Sequence, residues 1–291
     1  VERYRFVLAQ EANFGIAAMC GVLRVSRSGY YEWRNERAHV VSTRFDAFDT
    51  QVAAAFTASH RRYGSRRLQE ELKTLGVVCS RNRVVGAMRR LALQPRAQRR
   101  FKVTTDSAHT FDVAPNILDR NFSAASPNQA WVGDITYVWT REGWLYLAVL
   151  IDLHSRRVVG WGISEHIDRH LVLDALAMAL GTRRPAPGLV HHTDRGSQYA
   201  SNDYRKALAA AQIVCSMSRK GNCWDNAPAE SFFASIKGEE LAHNDFATRS
   251  QARDAILHYL CWYNAHRRHS TLGNISPAHF ETKPQPSILA A

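Results

Sequence analysis

Three acidic residues stand at the margins of apolar segments: Asp134 within WVGDITYVW, Asp194 in GLVHHTDRGSQYAS, and Glu230 in WDNAPAESFFASIKGEEL. Carboxylates brought together repel one another unless cations lie among them. Hard divalent ions such as Mg2+ accept a few such oxygens and keep positions for water and phosphate. Two ions about 3.5–4 Å apart can activate an attacking oxygen and stabilise a leaving one in phosphoryl transfer. Lys237 falls seven positions after Glu230, two helical turns along the same face, where it could hold a DNA phosphate. Each acid also has an ordinary use, as a turn cap, a loop residue or a helix surface residue. Asp152 in VLIDLHS interrupts an apolar strand much as Asp134 does, so spacing alone leaves the two as rivals. His191–His192 and His266-x-x-His269 have no cysteine pair at matching spacing, which argues against zinc.

A sheet is needed to gather acids so far apart in sequence. Residues 134–140 (DITYVWT), 144–155 (WLYLAVLIDLHS) and 156–164 (RRVVGWGIS) read as three strands of a meander joined by tight turns. A helix over 170–183, a fourth strand GLVHHTD, a helix over 204–211 and a fifth strand over 213–218 follow. The pattern predicts an α/β core, a mixed five-stranded sheet flanked by helices. Asp134 would open the first strand and Asp194 end the fourth. Glu230 would ride on a helix after Pro228, with Phe232, Phe233 and Ile236 inward.

The first third of the chain has another character. Of a net charge of +12, residues 1–110 carry +11, from 20 Lys+Arg against 9 Asp+Glu. Such an excess points to a polyanion. Two all-α units fall in this region. In the first, Gly21 to Val25 forms a bend and Ser26 caps a second helix. In the second, Leu68, Leu72 and Leu75 share one face, Gly76 closes the helix and Ser80 caps the next. There Val84, Val85, Met88 and Leu91 turn inward and Arg81, Arg83, Arg89 and Arg90 outward. A helix, a glycine turn and a basic second helix resemble a helix-turn-helix. Arg66 and Arg67 join these arginines as expected DNA contacts. Near the C-terminus Ile256, Tyr259, Leu260 and Tyr263 have helical spacing for packing, and Arg267 and Arg268 emerge beyond them as further DNA contacts. The expected divisions are 1–45 and 46–95 (helix-turn-helix regions), 96–125 (basic linker) and 126–285 (catalytic core).

The other features are those of a soluble globular protein. The longest apolar run, LYLAVLI, is too short to cross a bilayer, and the N-terminal VERYRFVLAQEANF has no signal-peptide core. Five cysteines without a CxxC pair imply reduced thiols and a cytoplasmic location.

Four blocks in order, WVGDITYVWTREGWLYLAVLIDLHSRRVVGW, HHTDRGSQYAS, SRKGNCWDNAPAESFFASIKGE and YNAHRRHSTLGNISPAHF, resemble the catalytic second-frame product of bacterial insertion-sequence transposases, whose core is similar to retroviral integrases. MCGVLRVSRSGYYEW and YGSRRLQEEL extend the likeness upstream. The resemblance implies a ribonuclease-H-like core with Asp134, Asp194 and Glu230 as an Asp-Asp-Glu triad, and it leaves Asp152 outside that triad. It implies two Mg2+ ions, for which Mn2+ substitutes, and a reaction that frees a 3′-hydroxyl and then joins it to another phosphodiester. Its partners would be double-stranded DNA, as terminal repeats and target, further copies of this chain on that DNA, and the upstream-frame product of the same element. The setting would be the bacterial nucleoid. Gly133 stands where the family usually has Thr, which bears on local packing. A hydrolytic nuclease without strand transfer and a helix-turn-helix regulator with an inert body are the competing readings.

Overall fold

The computed structural model describes residues 2–41, 47–96, 113–219 and 223–283. Most of the expected linker and the extreme C-terminus lie outside the described residues. The sheet has the order β3-β2-β1-β4-β5. Strands β1 (Ala130–Thr140), β2 (Gly143–Asp152) and β3 (Val158–Ser164) form an antiparallel meander, while β4 (Val190–Thr193) and β5 (Val214–Met217) run parallel to β1. The first strand starts four residues earlier than the pattern indicated, so Trp131 to Gly133 are already paired with β2.

Each sheet face carries its own apolar layer. On one side lie helices α7 (Arg169–Arg183), α8 (Ser197–Ala200) and α9 (Asn202–Ala210), with Leu171, Ala175, Tyr199 and Leu208 against Trp131, Ala148 and Leu150. The approach of α7 is close enough to require glycine on β3. A Cβ at Gly160 would stand 2.2 Å from the Ala175 carbonyl oxygen, and one at Gly162 2.2 Å from that of Leu171. On the other side lie α10 (Ala227–Glu239) and α11 (Arg249–Ala265), whose Phe232, Ile236, Ile256 and Leu260 cover Val132, Leu147 and Val149. The short α12 (Pro277–Thr282) packs on α11.

The N-terminal region comprises α1 (Glu2–Gln10), α2 (Ile16–Val22) and α3 (Arg27–Val41), with a small core of Val7, Met19, Cys20 and Tyr30, followed by α4 (Ala47–Ala58), α5 (Ser65–Thr74) and α6 (Arg81–Arg90). The turn chemistry follows the sequence. Ser26 Oγ accepts the Gly29 N–H, Gly76 takes φ +81°, and Ser80 Oγ accepts the Arg83 N–H. Leu75 departs from expectation: it ends α5 and is exposed, because the inward stripe stops at Leu72.

A second departure concerns modularity. Phe48, Val52, Phe56, Leu68, Leu72 and Val84 belong to the same apolar cluster as α10, α11 and the sheet. Buried Arg62 stacks 4.2 Å above the Trp262 ring and donates to Glu240, and Tyr63 donates to the His266 carbonyl. Thus α4–α6 share one apolar core with the sheet-bearing body.

Candidate active site

The parallel pairing of β1 and β4 sets Ala130 opposite Val190, Trp131 opposite His191 and Val132 opposite His192. Two residues further along the same register lie Asp134 and Asp194. Side chains alternate along a strand, so two steps along β1 return Asp134 to the face of Val132, while Asp194 follows directly on the end of β4. Asp134 Oδ1 accepts the Ile135 N–H at 2.7 Å, and Asp194 Oδ1 accepts the Gly196 N–H at 2.9 Å. A Cβ on Gly196 would fall 3.1 Å from that Asp194 oxygen, so the bare backbone lets the loop fold under the carboxylate. Glu230 lies in the first turn of α10. The start of α10 is tied to β1 by Asn226, whose Nδ2 donates to the Gly133 carbonyl at 3.1 Å, one residue from Asp134.

The electrostatics follow from this grouping. Burial, then the charge of Asp194 and that of Glu230, hold the Asp134 carboxyl well above the usual carboxylate range. The Ile135 N–H and Lys237 pull the other way. Glu230 is raised by burial, and Lys237 is lowered by burial with Asp134 opposing. The Lys237 ammonium lies 5.1 Å from the centre of the Tyr137 ring. Buried Tyr199 registers the same pair of acids: burial, with Tyr204, Asp134 and Asp194, pushes its phenol well up. Among the described residues no group of three His, Cys, Asp or Glu side chains is arranged to hold a metal ion as it stands. The chain supplies an aspartate pair, with the glutamate on the neighbouring helix.

The rival acid has another role. Asp152 lies opposite Trp131, near the start of β1, and is fully enclosed. It accepts the backbone N–H groups of Asn128 and His154 and a bond from Arg183, which also donates to Glu281 of α12. It is a structural carboxylate that joins the β2–β3 turn to α7 and α12. His191 and His192 are likewise internal: His191 Nε2 meets Tyr204 Oη at 2.8 Å, and His192 bridges Ser216 and Ser218. Gly133 leaves room for His191, since a Cβ there would lie 2.8 Å from His191 Cε1.

The expected DNA contacts divide. Arg66, Arg81 and Arg89 are exposed on α5 and α6. Arg83 and Arg90 are also exposed but fold back on α4, Arg83 over the Phe48 ring at 4.1 Å and Arg90 through a two-point bond to Asp49. Arg67 is half-buried against Glu239. Arg267 and Arg268 require correction. Arg267 is 4% exposed and donates to both oxygens of Glu239 and to Ser235. Arg268 donates to Glu71, Thr74 and the Asn274 carbonyl. Both join α11 to its neighbours and present no open guanidinium face to DNA. A cavity of 660 Å³ lined by His60, Arg62, Trp262 and His266 lies at this seam and includes none of the three acids.

One residue of the site was not singled out in the sequence. Asp225, in the 3-10 turn Cys223–Asn226 before α10, is fully enclosed and bonded to two arginines. Its only sequence signal is an Asp-Asn pair ahead of Pro228, which reads equally well as a helix cap.

With this geometry in place, likeness to known proteins decides the family. The integrase core domain profile matches residues 124–223, a second integrase core profile matches 211–277, and an HTH-like domain matches 45–101. The transposase InsF of insertion sequence IS3A from Escherichia coli K12 is 45% identical over 285 residues, 97% of this chain and 99% of its own. The chain belongs to the insertion-sequence transposases. An uncharacterised 31 kDa protein of insertion element IS600 from Shigella sonnei is 44% identical over 91% of this chain and 98% of its own. A simian T-cell lymphotropic virus intasome in complex with a PP2A regulatory subunit aligns over 82% of this chain and 78% of its own, at 16% identity and a TM-score of 0.48. The transposase fold is a ribonuclease-H-like mixed sheet preceded by HTH-like helices, and its function is DNA transposition. Among the described residues no helix is long and apolar enough to cross a membrane.

Proposed function

We propose that Asp134, Asp194 and Glu230 form the Asp-Asp-Glu triad of this transposase, and that it cleaves DNA at element ends and transfers the freed strand to a target. The observation that carries this reading is the β1–β4 pairing, which sets Asp134 and Asp194 each two residues beyond the Val132–His192 pair, with Glu230 on the helix bonded to β1 beside them. The donor set suits a hard cation. It is all carboxylate oxygen, and burial, then the charges of Asp194 and Glu230, raises the Asp134 carboxyl well above the usual carboxylate range, with the Ile135 N–H and Lys237 opposing. Mg2+ ions, two as the family resemblance implies, would be held by the three acids, and Mn2+ suits the same donors. When bound they supply charge neutralisation at the reacting phosphodiester.

The chain's own part is positioning. The β1–β4 ladder fixes the two aspartates, and the Gly196 N–H orients the Asp194 carboxylate. Lys237, two turns beyond Glu230, holds a phosphate oxygen of the DNA end. Arg66, Arg81 and Arg89 hold duplex phosphates on the helical side. Further copies of the chain assemble on the DNA, and the upstream-frame product is a candidate partner.

The test compares Asp134→Asn, Asp194→Asn and Glu230→Gln with Asp152→Asn on labelled element-end DNA in Mg2+. Each of the first three should lose cleavage and joining together, since one site serves both steps. Lys237→Ala should be milder. In the absence of metal, Asp134→Asn should melt no lower than the parent, because a carboxyl whose pKa is raised on folding costs stability at neutral pH. Mg2+ should then raise the melting temperature of the parent but not of the variant. Activity in Asp134→Asn with loss in Asp152→Asn would overturn the assignment, and cut products without joined ones would indicate a hydrolytic nuclease.

A further inference from the structure

Glu230 stands apart from the strand that carries Asp134, so something must set the position of its helix. The Asn226 side chain does not cap α10: its Nδ2 donates to the Gly133 carbonyl, and its Oδ1 is buried without a hydrogen-bond partner. The preceding residue is Asp225. Its Oδ2 accepts from the Arg219 N–H and Nε, both at 2.9 Å, and from Asn116 Nδ2 at 3.1 Å. Its Oδ1 accepts from Arg219 Nη2 at 2.8 Å and Arg120 Nε at 2.9 Å. Five donors saturate the roughly four lone-pair sites of one carboxylate. Both arginine side chains are close to half exposed and are held by ion pairs, Arg120 with Asp225 and Arg219 with Asp225 and Asp119.

The donors come from the segment before β1 and from the end of β5, and both are secured in turn. Ser216 Oγ accepts the N–H groups of Ile117 and Leu118, and His192 bridges Ser216 and Ser218. One residue thus joins the 116–120 segment, the β5 end and the start of α10. The Arg219 bonds outweigh burial and hold the Asp225 carboxyl well below its ordinary value.

We propose that Asp225 is a positioning residue, which fixes where Glu230 stands by clamping the turn that starts α10 to the segments flanking the sheet. The inference rests on Glu230 being the third acid of the site. Asp225 touches no reacting group, and its effect passes through Asn226 and the first turn of α10.

The experiment uses the full chain with Asp225→Asn and Arg219→Gln. The readouts are the Mg2+ concentration for half-maximal end cleavage, DNA affinity, and amide hydrogen exchange of Ser231–Ser235 against β1 and β2. Asp225→Asn should raise the Mg2+ requirement about ten- to a hundred-fold, the usual consequence of losing a partner that orients metal-binding groups. Exchange should quicken in α10 while the strands keep their protection and DNA affinity is unchanged. Arg219→Gln should move the same quantities less, since Arg120 and Asn116 remain, and it carries the decision if Asp225→Asn does not fold. Asp152→Asn removes another enclosed carboxylate and should lower the melting temperature without changing the Mg2+ requirement. An unchanged Mg2+ requirement in either folded Asp225-site variant, or protection lost uniformly across the sheet, would reduce Asp225 to a general structural residue. Full cleavage by Glu230→Gln would sink the triad instead, and the exchange of α10 would still report whether Asp225 holds the helix.

Discussion

Arg267→Met separates a DNA-binding arginine from a structural one. Arg267 and Glu239 have side chains 5% and 4% exposed, and the guanidinium donates to both carboxylate oxygens and to Ser235. Removing one partner of a buried ion pair costs about 3–5 kcal/mol, because the other charge is left in a poor solvent. Here Glu239 keeps Arg67 and the Tyr259 hydroxyl, which places the loss near the lower end, about 3 kcal/mol. For a chain of this size that corresponds to a melting temperature lower by about 5–10 °C. The deficit should depend on pH. Burial pushes the Glu239 carboxyl up, and Arg267, Arg67 and Tyr259 outweigh it, leaving the group below its ordinary value. A depressed carboxyl contributes stability above its unfolded pKa and loses it as pH falls through the folded one. Without Arg267 the carboxyl rises, so the variant should be weakest at neutral pH and approach the parent as Glu239 protonates towards pH ~4. Calorimetric melts at several pH values, beside a DNA titration, measure all of this. A variant that melts like the parent at every pH yet loses DNA affinity would refute the argument.

Three further outcomes are expected. Gly133→Thr should destabilise by about 1–3 kcal/mol, since its Cβ meets buried His191; denaturant titration checks it. His191 and His269 are both lowered to about 3, chiefly by burial, so each is neutral in the fold. Stability should be full above pH ~6.5 and fall towards pH ~3 by up to about 1.4 kcal/mol per pH unit for each histidine. His191→Gln should remove one such increment from the slope, and an identical slope would exclude it as a source. Replacing Arg66, Arg81 and Arg89 by Gln should flatten the plot of log affinity against log salt by roughly 0.9 for each phosphate no longer neutralised, and an unchanged slope would place the DNA elsewhere.

What could be read from the sequence was local in origin. The meander, the cap at Ser80 and the glycine stop at Gly76 depend on near neighbours, and they stand as expected. What could not be read depends on distant partners. Asp134 and Asp152 look alike within their strands, and only Arg183 and the backbone of Asn128 and His154 mark Asp152 as structural. Arg267 and Arg268 look like a solvent-facing basic pair until Glu239 and Glu71 arrive from elsewhere in the chain. Leu75 continued a correct stripe one residue past the point where the helix ends. Asp225 was hidden for the same reason as Asp152, since Asn116 and Arg120 lie far upstream.

The parallel ladder between β1 and β4 makes the site indifferent to sequence distance. Asp134 and Asp194 meet because each lies two steps beyond the last paired position, whatever length of chain runs between them. Insertions at the turn after β3, or exchange of α7 for another helix of the same footprint, would therefore leave the acid pair where it is. A single residue inserted between Val132 and Asp134 would do the reverse. It would reverse the parity of the strand and carry that carboxylate through the sheet to the α7 side, blinding the site without moving a single atom of β4.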